Sequence, residues 1–500
     1  MKEKSFIEES FPIKEVGQES AREKNIRHGH ISTLHIWWSR KPLGSSRATT
    51  YAALIPAPKD INEWQIKRNF IIELSKWENS LNHMIINKAR EDILKANNGK
   101  PLRVLDPFAG GGSIPLEALR LGCEVHAIDY NPVAVLILKC TLEYPQKYSK
   151  ITKKRVKNEL GFEIEVEVNQ LVEDVKTWGE WVLEEAKKEI GKFYPADEDG
   201  SVVVGYYFMR TIPCQNPVCE AEIPLTTNFW LAKKDNKKVS LYPYVDGNRV
   251  EFKIVGDGYE DMPDRFDPER GTISKAIAQC LVCKGVVDDK TVRRLFSEGK
   301  ANQRMIAVVL SKGKGEGKYY RLATEKDIEI YKQAEKYLEE KRQKLMDEWG
   351  MDPVPDEELN WNCLKQRDVM RYGMLKWGDL FNSRQKLSLI TFTEKLRLAY
   401  QKMIEEGYDK DYAKAVVSYL GLIIARVADF ESNLCRWHPQ WEFIPNTFAR
   451  QALPMAWDYA ELNLFSPILT GTWESMFGQI QGVLSHLSQI PPVEVEDENA

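Results

Sequence analysis

Residues 105–122 read LDPFAGGGSIPLEALRLG, and the reading of this stretch decides the fold. "RVLDPF" predicts a short apolar strand, "AGGGS" a tight loop, and "SIPLEALRLG" a helix that Gly122 closes as a left-handed cap. "CEVHAID" then places apolar residues at period two and predicts a second strand. Strand, loop, helix and strand open a βαβ unit, so an α/β fold with a parallel sheet is the expected frame. After Asp129, "NPVAVLILKCTLEYPQKY" predicts a helix with Asn131 as its N-cap and Pro132 in its first turn.

A glycine loop at a helix start sets free N–H groups beside the positive end of a helix dipole, which attracts an anion. No Lys-Ser/Thr follows the glycines as a P-loop requires, and Pro115 stands where the nicotinamide fingerprint has its third glycine. S-adenosylmethionine, which offers a carboxylate and a sulfonium in place of a pyrophosphate, suits these residues better. Asp106 can meet its charged methionine end, and Gly110 and Gly112 let the backbone come close. Asp129 is placed to accept both ribose hydroxyls. The bland alternative is a strand-to-helix turn with no ligand.

The chain has 500 residues, 43% hydrophobic and 29% charged, with net charge −4, ordinary values for a soluble globular protein of two to four domains. The charge total carries no nucleic-acid signal, so any phosphate-binding surface has to be local. "MKEKSFIEESFPIKEVGQES" lacks the apolar core of a signal peptide, and no later stretch of about 18 residues is free of charge. A cytoplasmic protein with no membrane partner is expected.

Among the eight cysteines are two close pairs, Cys214/Cys219 in "CQNPVC" and Cys280/Cys283 in "CLVC", both in a region of β-type segments. Two such turns suit a closed tetrahedral Cys₄ site holding a structural Zn2+, with no open position for catalysis. Two unrelated pairs are the alternative. Cys123, Cys140, Cys363 and Cys435 are expected to be buried thiols.

The N-terminal "RHGHISTLHIWWSRKPLGSSRA" mixes cations and aromatic rings. Three readings stand: a cofactor pocket in which Trp37 or Trp38 faces the adenine or the sulfonium and Arg40 or Lys41 meets the carboxylate; a phosphate-contacting strip with Arg22, Lys24, Arg27 and Arg47; or core packing with solvated charges. His28, His30 and His438 are expected as hydrogen-bonding or phosphate contacts.

"DPFAGGG" followed by "AIDYNPVA" resembles the cofactor motifs of class I amino-methyltransferases acting on nucleic acid. "LHIWWSRKPLGSSRA", "RTIPCQNPVCEAEIPL" and "LCRWHPQWEFIPNTFARQALPMAWDYAELN", in that order, resemble the Zn-ribbon-containing adenine-specific DNA methylases, a family often linked to phage defence. The resemblance implies a Rossmann-like methyltransferase sheet with an inserted β-rich zinc ribbon and a mainly helical region. It also implies adenine N6 methylation of DNA, S-adenosylmethionine as cofactor, and a structural Zn2+. The implied cofactor residues are His35, Trp37, Trp38, Lys41, Pro42, Asp106, Pro107, Phe108, Ala109, Gly110, Gly111, Gly112, Asp129 and Asn131; the metal ligands are Cys214, Cys219, Cys280 and Cys283.

The organisation expected on this basis is a cofactor core over 1–150, a helical connector over 151–199, the zinc ribbon over 200–325 and a helical target-recognition region over 326–488. Residues 489–500 are a tail or the start of a further part. "FNSRQK", "RWHPQW" and "NTFARQALPMAWDYAE" are candidates for DNA contact, with helix core as the equal alternative. Amino-methyltransferases carry an Asp/Asn/Ser-Pro-Pro-aromatic catalytic motif. The single Pro-Pro here, Pro491-Pro492, lies between Ile490 and Val493 and does not fit. The catalytic residues are therefore unknown. The chain is expected to be a fragment, one half of a split enzyme completed by a second polypeptide, or a non-catalytic DNA-binding subunit. An RNA base methyltransferase is the enzyme rival.

Overall fold

The computed structural model describes residues 4–157, 162–449 and 451–492. Its contacts divide the chain into two units. The first takes Met1–Glu180, Ala399–Leu422 and Phe477–Ala500; the second takes Trp181–Leu398 and Ile423–Met476.

In the first unit, helices α1 (Ile13–Glu23), α2 (Leu43–Leu54), α3 (Ile61–Ser75) and α4 (His83–Ala96) precede the glycine loop. Asp60 and Asn82 cap the last two, each side chain accepting two backbone N–H groups of the first turn. Their apolar faces meet in one core that includes Val16, Ala48, Tyr51, Ile71, Leu74, Ile86 and Ile93. The predicted βαβ start follows: β1 (Arg103–Asp106), α5 (Ser113–Arg120) and β2 (Glu124–Ala127), with β1 and β2 parallel and Asp106 paired with Ala127. Helix α6 (Pro132–Leu138) begins as expected, the Asn131 side chain accepting from the Val133 N–H at 2.9 Å.

This parallel pair is what the described residues show of the expected sheet. Parallel sheets are ordinarily covered on both faces. Here Leu105 and Ile128 are 62% and 57% exposed.

The connector expected to be helical starts instead as an antiparallel hairpin, β3 (Ile151–Lys157) and β4 (Glu163–Asn169), before helix α7 (Gln170–Ile190). Strand β4 alternates acidic with β-branched residues at period two, β3 is rich in cations, and the opposed charges suit pairing, as in Arg155 opposite Glu165.

The second unit is built on β5 (Val202–Pro213), buried along nearly its whole length. Strand β6 (Glu222–Leu225) pairs with it; β7 (Trp230–Lys234), β8 (Lys237–Asp246) and β9 (Arg249–Gly256) form a separate antiparallel sheet. Strands β10 (Ile273–Ser274), β11 (Ile277–Gln279) and β12 (Val286–Val287) make a small third sheet, followed by helix α8 (Asp289–Ser297). Strands β13 (Asn302–Ser311) and β14 (Lys318–Leu322) return to β5, and helix α9 (Glu325–Trp349) follows.

The later helices are α10 (Ser383–Glu405), α11 (Lys410–Phe430) and α12 (Trp473–Leu487). The region expected to be helical also supplies β15 (Asp458–Leu462), which pairs antiparallel with β5 and sets Tyr459 opposite Phe208. Among the described residues no helix is long and apolar enough to cross a membrane.

Candidate functional site

The glycine loop turns between β1 and α5 through two left-handed residues, Gly110 (φ +52°) and Gly112 (φ +79°). Asp129, just past the end of β2, holds the loop. One carboxylate oxygen accepts from the Gly110 N–H at 2.8 Å and the other from the Asn131 N–H at 2.8 Å. Ala109 and Gly112 also donate inside the protein, to Ile128 and Ala109 carbonyls at 3.0 and 2.8 Å. Three of the loop N–H groups expected to be free for an anion are thus consumed. To a ligand the loop also presents the remaining lone pairs of Asp106 and Asp129, and two rings. Phe108 is 88% exposed and Tyr130 is fully exposed, each two residues or fewer from one of those acids.

The N-terminal segment lies over this loop. A Cβ on Gly110 would stand 2.6 Å from the Trp37 indole nitrogen, and one on Gly111 would stand 3.1 Å from Trp37 and from Arg40. Arg40 donates to the His35 carbonyl at 3.0 Å and closes the turn that carries both Trp37 and the half-exposed Trp38. Lys41 is exposed and Pro42 half-buried. The structure therefore brings Trp37 and Arg40 to the glycines.

What holds the segment there is a set of buried charges. Glu23 at the end of α1 accepts from Leu43 and Gly44 N–H at 2.7 and 2.8 Å, satisfying the start of α2, and pairs with His30 at 3.0 Å. Burial alone would raise the Glu23 carboxyl; the bonds from His30, Gly44 and Leu43 outweigh it and hold the group below the ordinary range. Arg47 on α2 donates to the Leu74 and Lys76 carbonyls at the end of α3, and pairs at 2.9 Å with Glu117 of α5. Glu117 also pairs with Arg120.

Arg47 is wholly buried, so it is not part of a phosphate strip, and Arg22 pairs with Glu78 and Glu19. His486 of α12 stacks on Trp77 at 4.9 Å. Burial, then Arg120, Arg47 and His30, push its pKa down to about 3. Glu23, Trp77, Glu117, Arg120 and His486 carried no signal in the sequence, because their partners lie up to hundreds of residues away.

In the second unit the four paired cysteines converge. Their sulfurs all lie within 4.8 Å of one another, Cys214 to Cys283 at 3.6 Å and Cys219 to Cys280 at 3.8 Å. Zn–S bonds of about 2.3 Å in a tetrahedron require sulfurs about 3.8 Å apart, so these separations and the four-thiol donor set are consistent with Zn2+. Cys214 leaves β5 and Cys280 leaves β11.

The two turns share a design. The residue after each second cysteine, Glu220 or Lys284, is left-handed (φ +47° and +61°). The first cysteine of each turn donates its N–H back across it, Cys214 to Ala221 and Cys280 to Gly285. The longer first spacing is absorbed in that wider closure. The Gly285 N–H reaches the Cys283 sulfur at 3.4 Å and draws its pKa down to about 6, whereas burial pushes Cys214 up to about 12. Of the single cysteines, Cys123, Cys140 and Cys435 are buried and Cys363 is half-buried.

The proposed DNA-contact motifs are largely core. Asn382, Arg384 and Gln385 of "FNSRQK" are buried, as are Met455 to Glu461 of "NTFARQALPMAWDYAE". In "RWHPQW", Trp437 is buried while Arg436 and Trp441 are exposed. Packing accounts for most of these positions, on a helix in "FNSRQK" but on strand β15 and loops in the other two rather than the helix core expected.

Residues 10–79 match a family described as a protein of unknown function, DUF1156. No curated protein and no solved structure matches the chain. The matched span runs from just before α1 to just after α3 and contains Trp37, Arg40, Glu23, His30, Arg47 and Trp77, the residues that cover the glycine loop and brace that cover.

Proposed function

We propose that this chain is the cofactor-binding and recognition part of an S-adenosylmethionine-dependent adenine N6 DNA methyltransferase, with a Rossmann-like frame begun by β1 and β2. The observation that carries this reading is the pairing of a glycine loop, tied down by Asp129, with a Trp37–Arg40 cover. The loop spends three of its N–H groups, those of Ala109, Gly110 and Gly112, internally and offers carboxylates and rings, which suits an adenosine with a sulfonium.

The residues fit the cofactor on a further point: the Ser113 hydroxyl, buried beside the loop, has no hydrogen-bond partner among the described residues. Asp129 would hold the ribose hydroxyls, Asp106 the charged methionine end, and Phe108 or Tyr130 the base. Trp37 and Arg40 would exclude water from the loop. The bound cofactor would supply an activated methyl group. The acceptor for the proton lost by the target amine is proposed to come from another stretch of polypeptide. Leu105, Phe108, Ile128 and Tyr130, exposed together around β1 and β2, support a covering segment there.

Calorimetry tests the cofactor site. Phe108→Ala leaves the fold intact because the ring is solvent-exposed, and it is expected to weaken S-adenosylmethionine binding about tenfold, the worth of one stacking contact. Asp129→Ala is expected to abolish binding. Unchanged affinity in both variants overturns the assignment. Competition between DNA and RNA of one sequence at matched salt separates the nucleic acids.

A further inference from the structure

The second unit contains a cavity of about 620 Å3 that neither the glycine loop nor the cysteine site explains. That volume lies in the range of small-molecule sites. Its wall is cationic. Arg210, Arg304, Lys332 and Lys386 face Glu335 and Asp379. Arg304 is neutralised by Glu251 and Glu222. Among the described residues Arg210 donates to the Ala456 and Asn433 carbonyls, at 2.9 and 3.1 Å, and lies over the Tyr459 ring. Among the described residues Lys332 and Lys386 form no ion pair. Each acid has one oxygen held by neutral donors, Glu335 by the Ser383 hydroxyl and Asp379 by the Leu375 and Lys376 N–H groups, and the cations of the wall outnumber them. Burial holds Arg210 down at about 10, against Tyr459 and Asp458, and holds Lys386 below its ordinary value, against Asp379.

The same wall carries an oriented amide and aromatic rings. The Gln303 amide nitrogen donates to the Tyr331 hydroxyl at 2.9 Å, and its oxygen accepts from the Tyr459 hydroxyl at 2.6 Å. Both bonds fix which way the exposed amide points and leave it one N–H and one lone pair. That is the pair of groups with which glutamine reads a base edge such as that of adenine. Phe208 and Tyr372 add apolar faces.

We propose that this cavity binds a nucleotide, its phosphate at the Lys332, Lys386 and Arg210 wall and its base at Gln303 and the rings. The ligand is either a free mononucleotide or one residue of a nucleic-acid strand. This site lies outside the proposed cofactor loop and does not depend on it.

The full chain is titrated with adenosine monophosphate by calorimetry and with a labelled oligodeoxyadenylate by fluorescence anisotropy. Lys386→Met keeps the aliphatic stem and removes the charge; Lys332→Ala changes an exposed side chain and spares the core. Each is expected to weaken binding about tenfold, the worth of one charge-assisted contact. Saturation by adenosine monophosphate identifies a free nucleotide. Strand binding that the monophosphate does not displace identifies a residue within a strand. The proposal is overturned if neither probe binds the folded chain or if both lysine variants bind as the parent does. Cofactor affinity, read separately in Phe108→Ala and Asp129→Ala, distinguishes failure here from failure of the methyltransferase reading.

Discussion

Arg47 shows how a residue legible in kind is not legible in role. In the sequence it is one cation in a basic stretch; in the fold it has no exposure and joins α2, α3 and α5 through two carbonyls and Glu117. Arg47→Met is expected to cost about 3–5 kcal/mol, read from the urea midpoint, since it strands the Glu117 charge in the interior with Arg120 as its remaining partner. His486 carries a pH signature. Its folded pKa of about 3 lies below the unfolded value of about 6.5, so between those limits the unfolded chain binds a proton that the folded chain does not. Stability is expected to be fully present above pH 6.5 and to fall as pH drops toward 3. His486→Phe keeps a ring on Trp77 and is expected to flatten that slope in denaturation series at pH 7.5 and 5. An unchanged slope refutes the assignment. The glycines and cysteines were legible because their signals are local. His486 was not, and of Glu117 only the Arg120 pair is local, because nothing near them in the chain marks Trp77 or Arg47 as partners.

Among the elements, the two cysteine turns and the strand–loop–helix–strand unit follow the sequence, each closed by hydrogen bonds within a few residues. Removal of Zn2+ with a chelator is expected to increase hydrogen exchange in β5, β6, β11 and β12, and Cys280→Ser to abolish stoichiometric zinc in native mass spectra. Full thiol reactivity in the native zinc-loaded protein would refute the site. Gly110→Ala is expected to cost about 1–2 kcal/mol for its left-handed backbone alone, with further loss as Trp37 is displaced. Thermal melting and cofactor titration read the two effects separately. The β3–β4 hairpin and β15 departed from expectation. In the hairpin β3 has a run of three cations and no alternation, and β4 alternates over only seven residues, so the pair reads weakly as strand. The five residues of β15 are all buried and show no alternation, and pairing with β5 makes them a strand.

Across the whole molecule, contiguous segments do not correspond to units. Residues 399–422 and 477–500 group with the first 180, and 423–476 with the middle of the chain. Helical periodicity states that α10, α11 and α12 each have an apolar face; it does not state what covers it. By itself the sequence determined the glycine loop, the Cys₄ ligand set, the caps at Asn131 and Gly122, and most helices, because each depends on φ preference, spacing or hydrogen bonds within a few residues. Only the tertiary structure decided that Trp37 and Arg40 lie on the glycines, that the Arg47–Glu117–Arg120 charges brace them, and that β15 completes the β5 sheet. Those outcomes depend on which apolar faces bury together and on which charges can be paired once water is excluded, and both are set by contacts between residues far apart in the chain.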